Sequence, residues 1–227
     1  MRSVSLYLLL AGSSLALAGC ELEDWSDGRR VREDFQKTAV AKPGGRIEVE
    51  GFNGSVEITG WERDSVEVTG TKYAPTESDL KSIDIDVTSS GDTVRVRAVR
   101  PLERRGNMGV SFVIRVPRRS NLDRVTTSNG SVKVEGIEGV ARLRTSNGGV
   151  RVAALKGNLE STTSNGAVDV RDQEGGAILR TTNGGVRAEG IRGDLDAHTT
   201  NGGIHVRLAE PEPQKTIRLA STNGGIE

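Results

Sequence analysis

A single cysteine, two histidines and seven aromatic residues among 227 positions set the first boundaries. One Cys excludes an internal disulfide, and one Cys with two His cannot assemble a structural zinc site. The aromatics are Tyr7, Trp25, Phe35, Phe52, Trp61, Tyr73 and Phe112, so the last 115 residues hold no ring on which a base or sugar could stack. An excess of either charge is also missing. Lys and Arg number 31, as do Asp and Glu, and residues 121–227 repeat the balance with 13 of each. Neither half can neutralise a run of phosphates, and nucleic acid is not an expected partner. What is plentiful is glycine, at 29 residues nearly twice the average share. The length allows one generous domain or two small ones.

The first twenty residues read as an address. Arg2 precedes an uncharged stretch, Leu6 to Leu17, that is too short to span a bilayer comfortably and ends in Ala18 and Gly19, the pattern of a secretory signal peptide. The only cysteine follows directly, and Leu17-Ala18-Gly19-Cys20 resembles the bacterial lipoprotein signal. That resemblance implies a lipidated Cys20 as the mature N-terminus and a membrane partner reached through the lipid anchor. With Glu21 rather than Asp after the cysteine, the outer membrane is the expected site in a Gram-negative organism. Residues 1–19 are therefore signal peptide, and 20–44 the lipidated cysteine and a flexible tether of mixed charge closed by Pro43-Gly44-Gly45.

The rest of the chain repeats. Asn-Gly recurs at Asn129, Asn147, Asn165, Asn183, Asn201 and Asn223, at intervals of 18, 18, 18, 18 and 22. Counting from each Asn, position four is Val132, Val150, Val168, Val186, Ile204 and Ile226, and position six is Val134, Val152, Val170, Ala188 and Val206. These columns alternate with mostly polar residues, as a strand with one buried face does. Positions thirteen, fifteen and seventeen form a second alternating strand, as in Ala141-Leu143-Thr145 and Leu159-Ser161-Thr163. Between the strands lies a turn with an apolar ninth residue, broken only by Gln173, and glycine at position eleven.

The unit fits an all-β parallel solenoid, one coil per repeat, with the Asn residues stacked along one corner. It also fits an antiparallel meander in which each Asn-Gly is a hairpin turn. Near-constant spacing and constant residue type down each column favour the solenoid. Residues 45–120 carry a diverged version and read as an N-terminal β-sheet extension, with Val56 and Ile58 in positions four and six after Asn53-Gly54, a short helix over 77–82, and strands over 83–87, 94–98 and 110–116. Residues 121–227 are the regular β-repeat region. The pattern stops at Gly225-Ile226-Glu227, where a further strand is expected, leaving the final coil incomplete or the chain truncated.

The order Pro43-Gly44-Gly45-Arg46-Ile47, then Asn53-Gly54-Ser55-Val56-Glu57-Ile58-Thr59-Gly60-Trp61, then Val113-Ile114-Arg115-Val116-Pro117 leading into Thr/Ser-Asn-Gly repeats resembles the bacterial putative-adhesin family, a domain of unknown function numbered 4097. The resemblance covers about residues 40–227 and implies a secreted or envelope-attached β-repeat protein, without catalytic residues to carry over.

Chemistry-bearing candidates are few. His198 and His205, with Asp194 or Asp196, could hold a metal weakly, but their columns otherwise hold Arg, Thr, Lys and Asp, the composition of a solvated surface. Calcium-binding nonapeptide repeats place Asp between glycines, and these turns have none there. The carboxylate pairs Asp169/Asp172 and Asp194/Asp196 stand beside no aromatic subsite, and no nucleophile motif surrounds any Ser or Thr. No catalytic residue, metal or cofactor is expected. The Asn column reads as turn residues selected for positive φ, with a ligand surface of stacked amides as the alternative. The expected function is that of a non-catalytic envelope lipoprotein, an adhesin or surface scaffold for envelope or surface glycans or proteins. A self-associating solenoid scaffold, and an envelope-stress sensing or carbohydrate-active protein, are the alternatives.

Overall fold

The computed structural model describes residues 30–100, 106–209 and 215–227. The signal sequence, Cys20 and Trp25 lie outside them. The chain forms β1 (Val31–Val40), β2 (Arg46–Glu50), β3 (Val56–Trp61), β4 (Ser65–Ala74), helix α1 (Glu77–Lys81), β5 (Asp84–Ser90), β6 (Thr93–Val99), β7 (Gly109–Pro117) and β8 (Asn121–Thr127). The repeats follow as β9 (Val132–Glu138), β10 (Ala141–Thr145), β11 (Val150–Lys156), β12 (Leu159–Asn165), β13 (Val168–Glu174), β14 (Ala177–Asn183), β15 (Val186–Arg192), β16 (Leu195–Asn201), β17 (Ile204–Leu208) and β18 (Ile217–Asn223).

Each repeat contributes one strand to each of two nine-stranded sheets, in the orders β1-β4-β7-β3-β9-β11-β13-β15-β17 and β18-β16-β14-β12-β10-β8-β2-β6-β5. Neighbouring repeat strands are parallel with a register of one unit: Val150 sits between Val132 and Val168, and Ser161 between Leu143 and Leu179. The fold is thus a parallel β-solenoid, and the meander does not form. Asn201 pairs with Asn223 even though their interval is 22, because the four extra residues fall between β17 and β18.

The alternation read from the sequence sets the faces. Val150 and Val152 are buried while Arg151 between them is exposed; Ala141 and Leu143 are buried while Arg142 and Arg144 are exposed. Small and β-branched side chains fill the narrow space between the sheets, and each coil covers its neighbours rather than surrounding one large core. Two polar residues intrude. Gln173 takes the ninth-position slot held elsewhere by Ile137, Leu155 and Ile191, fully buried, with its Nε2 donating to the Gly157 carbonyl and its Oε1 without a partner. Ser161 is equally buried, and its Oγ has no partner.

The N-terminal region departs from the expectation in two ways. Residues 31–40, expected to belong to a flexible tether, form β1, an edge strand antiparallel to β4 over its full length. Sparse side-chain contact explains why the sequence hides it: only Val31, Phe35 and Ala39 pack inward, four residues apart, among polar neighbours. Residues 45–120 also do more than extend the sheets. β2 and β3 form a coil inserted between the β6/β7 coil and the β8/β9 coil, in parallel register with both, so the spatial order departs from the chain order. Antiparallel strands then close this end, β4 and β1 beyond β7 and β5 beyond β6. Thr76 caps α1 by accepting the Asp79 amide, and Leu80 buries against this end. Larger side chains fill this wider section, with Phe35 edge-on to buried Phe112 at 5.8 Å between ring centres.

Candidate functional site

The Asn column is the most regular feature of the surface. Asn147 donates from Nδ2 to Asn129 Oδ1 at 2.6 Å, Asn165 to Asn147 at 2.7 Å, and Asn183, Asn201 and Asn223 each to the preceding Asn at 2.8 Å. The column also reaches one coil further than the six repeats. Asn129 donates to Asn53 Oδ1, and Asn53 donates to the Met108 carbonyl. Asn53-Gly54 carries the same dipeptide, which was the available signal. Its place next to Asn129 depends on the inserted β2/β3 coil and is not visible in the spacing.

The positive-φ explanation of this column is corrected by the backbone. Of the seven Asn residues only Asn53 has positive φ, at 46°, and the repeat Asn residues lie at or beside strand ends. Asn is therefore placed by the amide ladder, each side chain bridging adjacent coils. The following glycine has a different reason. A Cβ on Gly166 would stand 2.2 Å from the Gly148 carbonyl oxygen of the coil below, and Gly148, Gly184 and Gly224 meet the same obstacle at 2.0–2.1 Å. Close stacking, rather than a left-handed turn, selects the dipeptide. Left-handed backbone occurs instead at the eighth column, Gly136, Ala154, Asp172 and Gly190, with φ between 50° and 68°.

A second ladder was missed from the sequence. The inward hydroxyl at position seventeen donates to the carbonyl of the glycine after Asn: Thr145 to Gly130, Thr163 to Gly148, Thr181 to Gly166 and Thr199 to Gly184, all at 2.8–2.9 Å. Thr127 and Ser221 extend it at either end. The signal was a column that holds Thr or Ser in every regular coil on the inward face of a strand whose other inward columns are mostly apolar.

The outer faces carry charge of both signs in pairs along and across strands. Glu48 meets Arg95 at 2.9 Å and Arg124 at 3.5 Å, Arg192 meets Glu174 at 3.3 Å, and Arg171 meets Asp169 at 3.2 Å. The two histidines fall on different sheets, His198 in β16 and His205 in β17. Asp196 pairs with Arg180, and Asp194 accepts the Thr216 amide. His205 Nδ1 lies 3.6 Å from a Glu227 carboxylate oxygen. Among the described residues no three His, Cys, Asp or Glu side chains gather as a metal site. No helix is long and apolar enough to cross a membrane among them.

No protein-family model matches the sequence, and no curated relative does. Among solved structures the chain is similar to a putative adhesin from Bacteroides fragilis, at 17% identity and a TM-score of 0.44 over 86% of this chain and 96% of that one. A putative cell adhesion protein from Clostridium sporogenes is similar at 12% identity and a TM-score of 0.40, over 86% and 98%. A putative lipid binding protein from Parabacteroides distasonis is similar at 10% identity and a TM-score of 0.38, over 86% and 96%. Similarities at this level carry no function from those proteins to this one.

Proposed function

We propose that this is a non-catalytic protein of the bacterial envelope, held by a lipid on Cys20, whose solenoid serves as an adhesive or scaffolding surface for envelope or surface glycans or proteins. One observation carries the reading: the repeat uses its polar side chains to join coils. Asn amides and Thr hydroxyls bridge neighbours, and much of the outward charge is paired. What results is a stiff rod, two sheets of nine strands at about 4.8 Å per strand, with two broad faces of mixed charge. Such a body suits holding and displaying a surface more than enclosing a substrate.

Two measurements test it. Cys20→Ser should leave unprocessed precursor or soluble protein in cell fractionation; retention in the membrane with normal processing would reject the anchor. Cells carrying the native protein should adhere to immobilised envelope polysaccharide or host-surface material more than cells without it, and equal adherence would reject the adhesive role.

A further inference from the structure

The regular coils carry two open grooves, of about 540 Å³ beside Asn158 and Gly176 and about 530 Å³ beside Ala167 and Gly185, and neither is lined by a Trp, Tyr or Phe. The N-terminal coils differ. There the connections over 41–45, 62–64 and 118–120 are irregular and meet at one corner: the Ala41 amide donates to the Asp64 carbonyl, the Gly44 amide to the Arg119 carbonyl, and the Arg118 amide to the Trp61 carbonyl. Between them lies an open cleft of about 400 Å³, within the range of small-molecule sites. Loops converging on a rigid scaffold are where binding residues concentrate.

The cleft contains Trp61, half-buried on the outer face of β3, its Nε1 donating to the Ser65 carbonyl at 2.8 Å. That bond fixes the indole while leaving part of it open. Two guanidinium groups stand by the indole: that of Arg115, paired with Glu67, at 6.0 Å from the ring centre, and that of Arg63 at 5.0 Å, which is exposed and can move aside at little cost. Around the ring are both kinds of polar group. Arg118 is paired with Glu62 at 2.6 Å, whereas the side chains of Arg119, Asp64 and Glu138, which also line the cleft, form no ion pair among the described residues. Three arginines and three acids line the cleft, so it has no net charge to attract a polyanion.

We propose that this cleft binds a neutral saccharide. A pyranose ring presents an apolar C–H face and a rim of hydroxyls that both donate and accept. The indole of Trp61 matches the face, the Arg119 guanidinium donates to ring hydroxyls, and the Asp64 and Glu138 carboxylates accept from them. The site deepens the adhesive reading above and rests on it.

The test uses the mature full-length protein, with maltotetraose and the tetramer of N-acetylglucosamine as neutral probes and polygalacturonate as an acidic one, read by calorimetry and saturation-transfer NMR. At least one neutral probe should bind saturably. Trp61→Ala should weaken it by about ten-fold or more, the Asp64→Ala/Arg119→Ala variant should weaken it to a lesser degree, and Arg151→Asp on the same sheet should leave it unchanged. Trp61→Phe, which keeps a ring, should retain part of the affinity, and circular dichroism checks that each variant is folded. Neutral-probe binding unchanged in folded Trp61→Ala would overturn the site, as would binding of none of the neutral probes, or of polygalacturonate alone with loss at high salt. If cells carrying Trp61→Ala adhere as well as wild type, the site fails and the adhesive reading stands. If wild-type cells do not adhere, that reading fails as well.

Discussion

At the residue scale, the Asn-Gly dipeptide joins two separate requirements. Asn165 both donates to Asn147 and accepts from Asn183, so Asn165→Gly removes two inter-coil hydrogen bonds. Thermal or denaturant unfolding should show a loss of about 1 kcal/mol or more. Asn165→Asp should cost more, because a carboxylate oxygen would then face Asn147 Oδ1 where a donor had been. If Asn165→Gly were neutral, the ladder would not contribute to stability. The neighbouring position obeys sterics: Gly166→Ala puts a methyl group against a backbone carbonyl that cannot retreat without separating coils, at a cost of about 3 kcal/mol. Gly225→Ala, with nothing within 4 Å of the added carbon, is the control and should be close to neutral.

At the element scale, each strand contributes through which side of the sheet a residue faces. Val150→Asp places an unpaired charge between the sheets and should cost several kcal/mol, roughly 3–5, whereas Arg151→Asp should stay within about 0.5. Equal costs at the two positions would reverse the assignment of faces. The two buried polar intrusions predict gains instead. Gln173→Ile gives its coil the residue type found at 137 and 191 and removes an acceptor that has no partner. The Gln173 amide is not needed by the glycine carbonyl it meets, since the coils with Leu155 and Ile191 offer no side-chain donor there. A stabilisation of about 1 kcal/mol in chemical unfolding is expected. Ser161→Ala removes the other partnerless oxygen and should gain a similar amount without enlarging the side chain.

At the scale of the whole molecule, the coils are interchangeable but the capped end is not. Removing one full unit, residues 148–165, brings Asn147 directly before Gly166 and keeps every inward column in phase, so the shortened protein should fold with near-native circular dichroism and a lower melting temperature. Removing nine residues puts outward residues between the sheets and should abolish cooperative unfolding. At the other end, Phe35→Ala uncovers Phe112 and the space over Gly70, where a Cβ would stand 2.7 Å from the Phe35 ring. A loss of about 3 kcal/mol is expected, read first as faster hydrogen exchange in β1 and β4.

The period of 18, the inward columns and the two-strand unit were all present in the sequence, because each depends on a strand's own alternation and on neighbours one repeat away. Equal coils favoured parallel stacking over the antiparallel meander that the same pattern allowed, and the structure decided between them. Tertiary structure alone decided the rest. β1 is a strand because β4 offers it a full edge for backbone pairing, which few of its side chains reveal. The β2/β3 coil sits against β8 and β9, more than seventy residues further along the chain, because pairing there fills a place that chain order leaves empty. That placement brings Asn53 under Asn129 and gathers the turns around Trp61. Local pattern says which face a residue turns inward, but which coil lies above or below is settled by contacts across the whole fold.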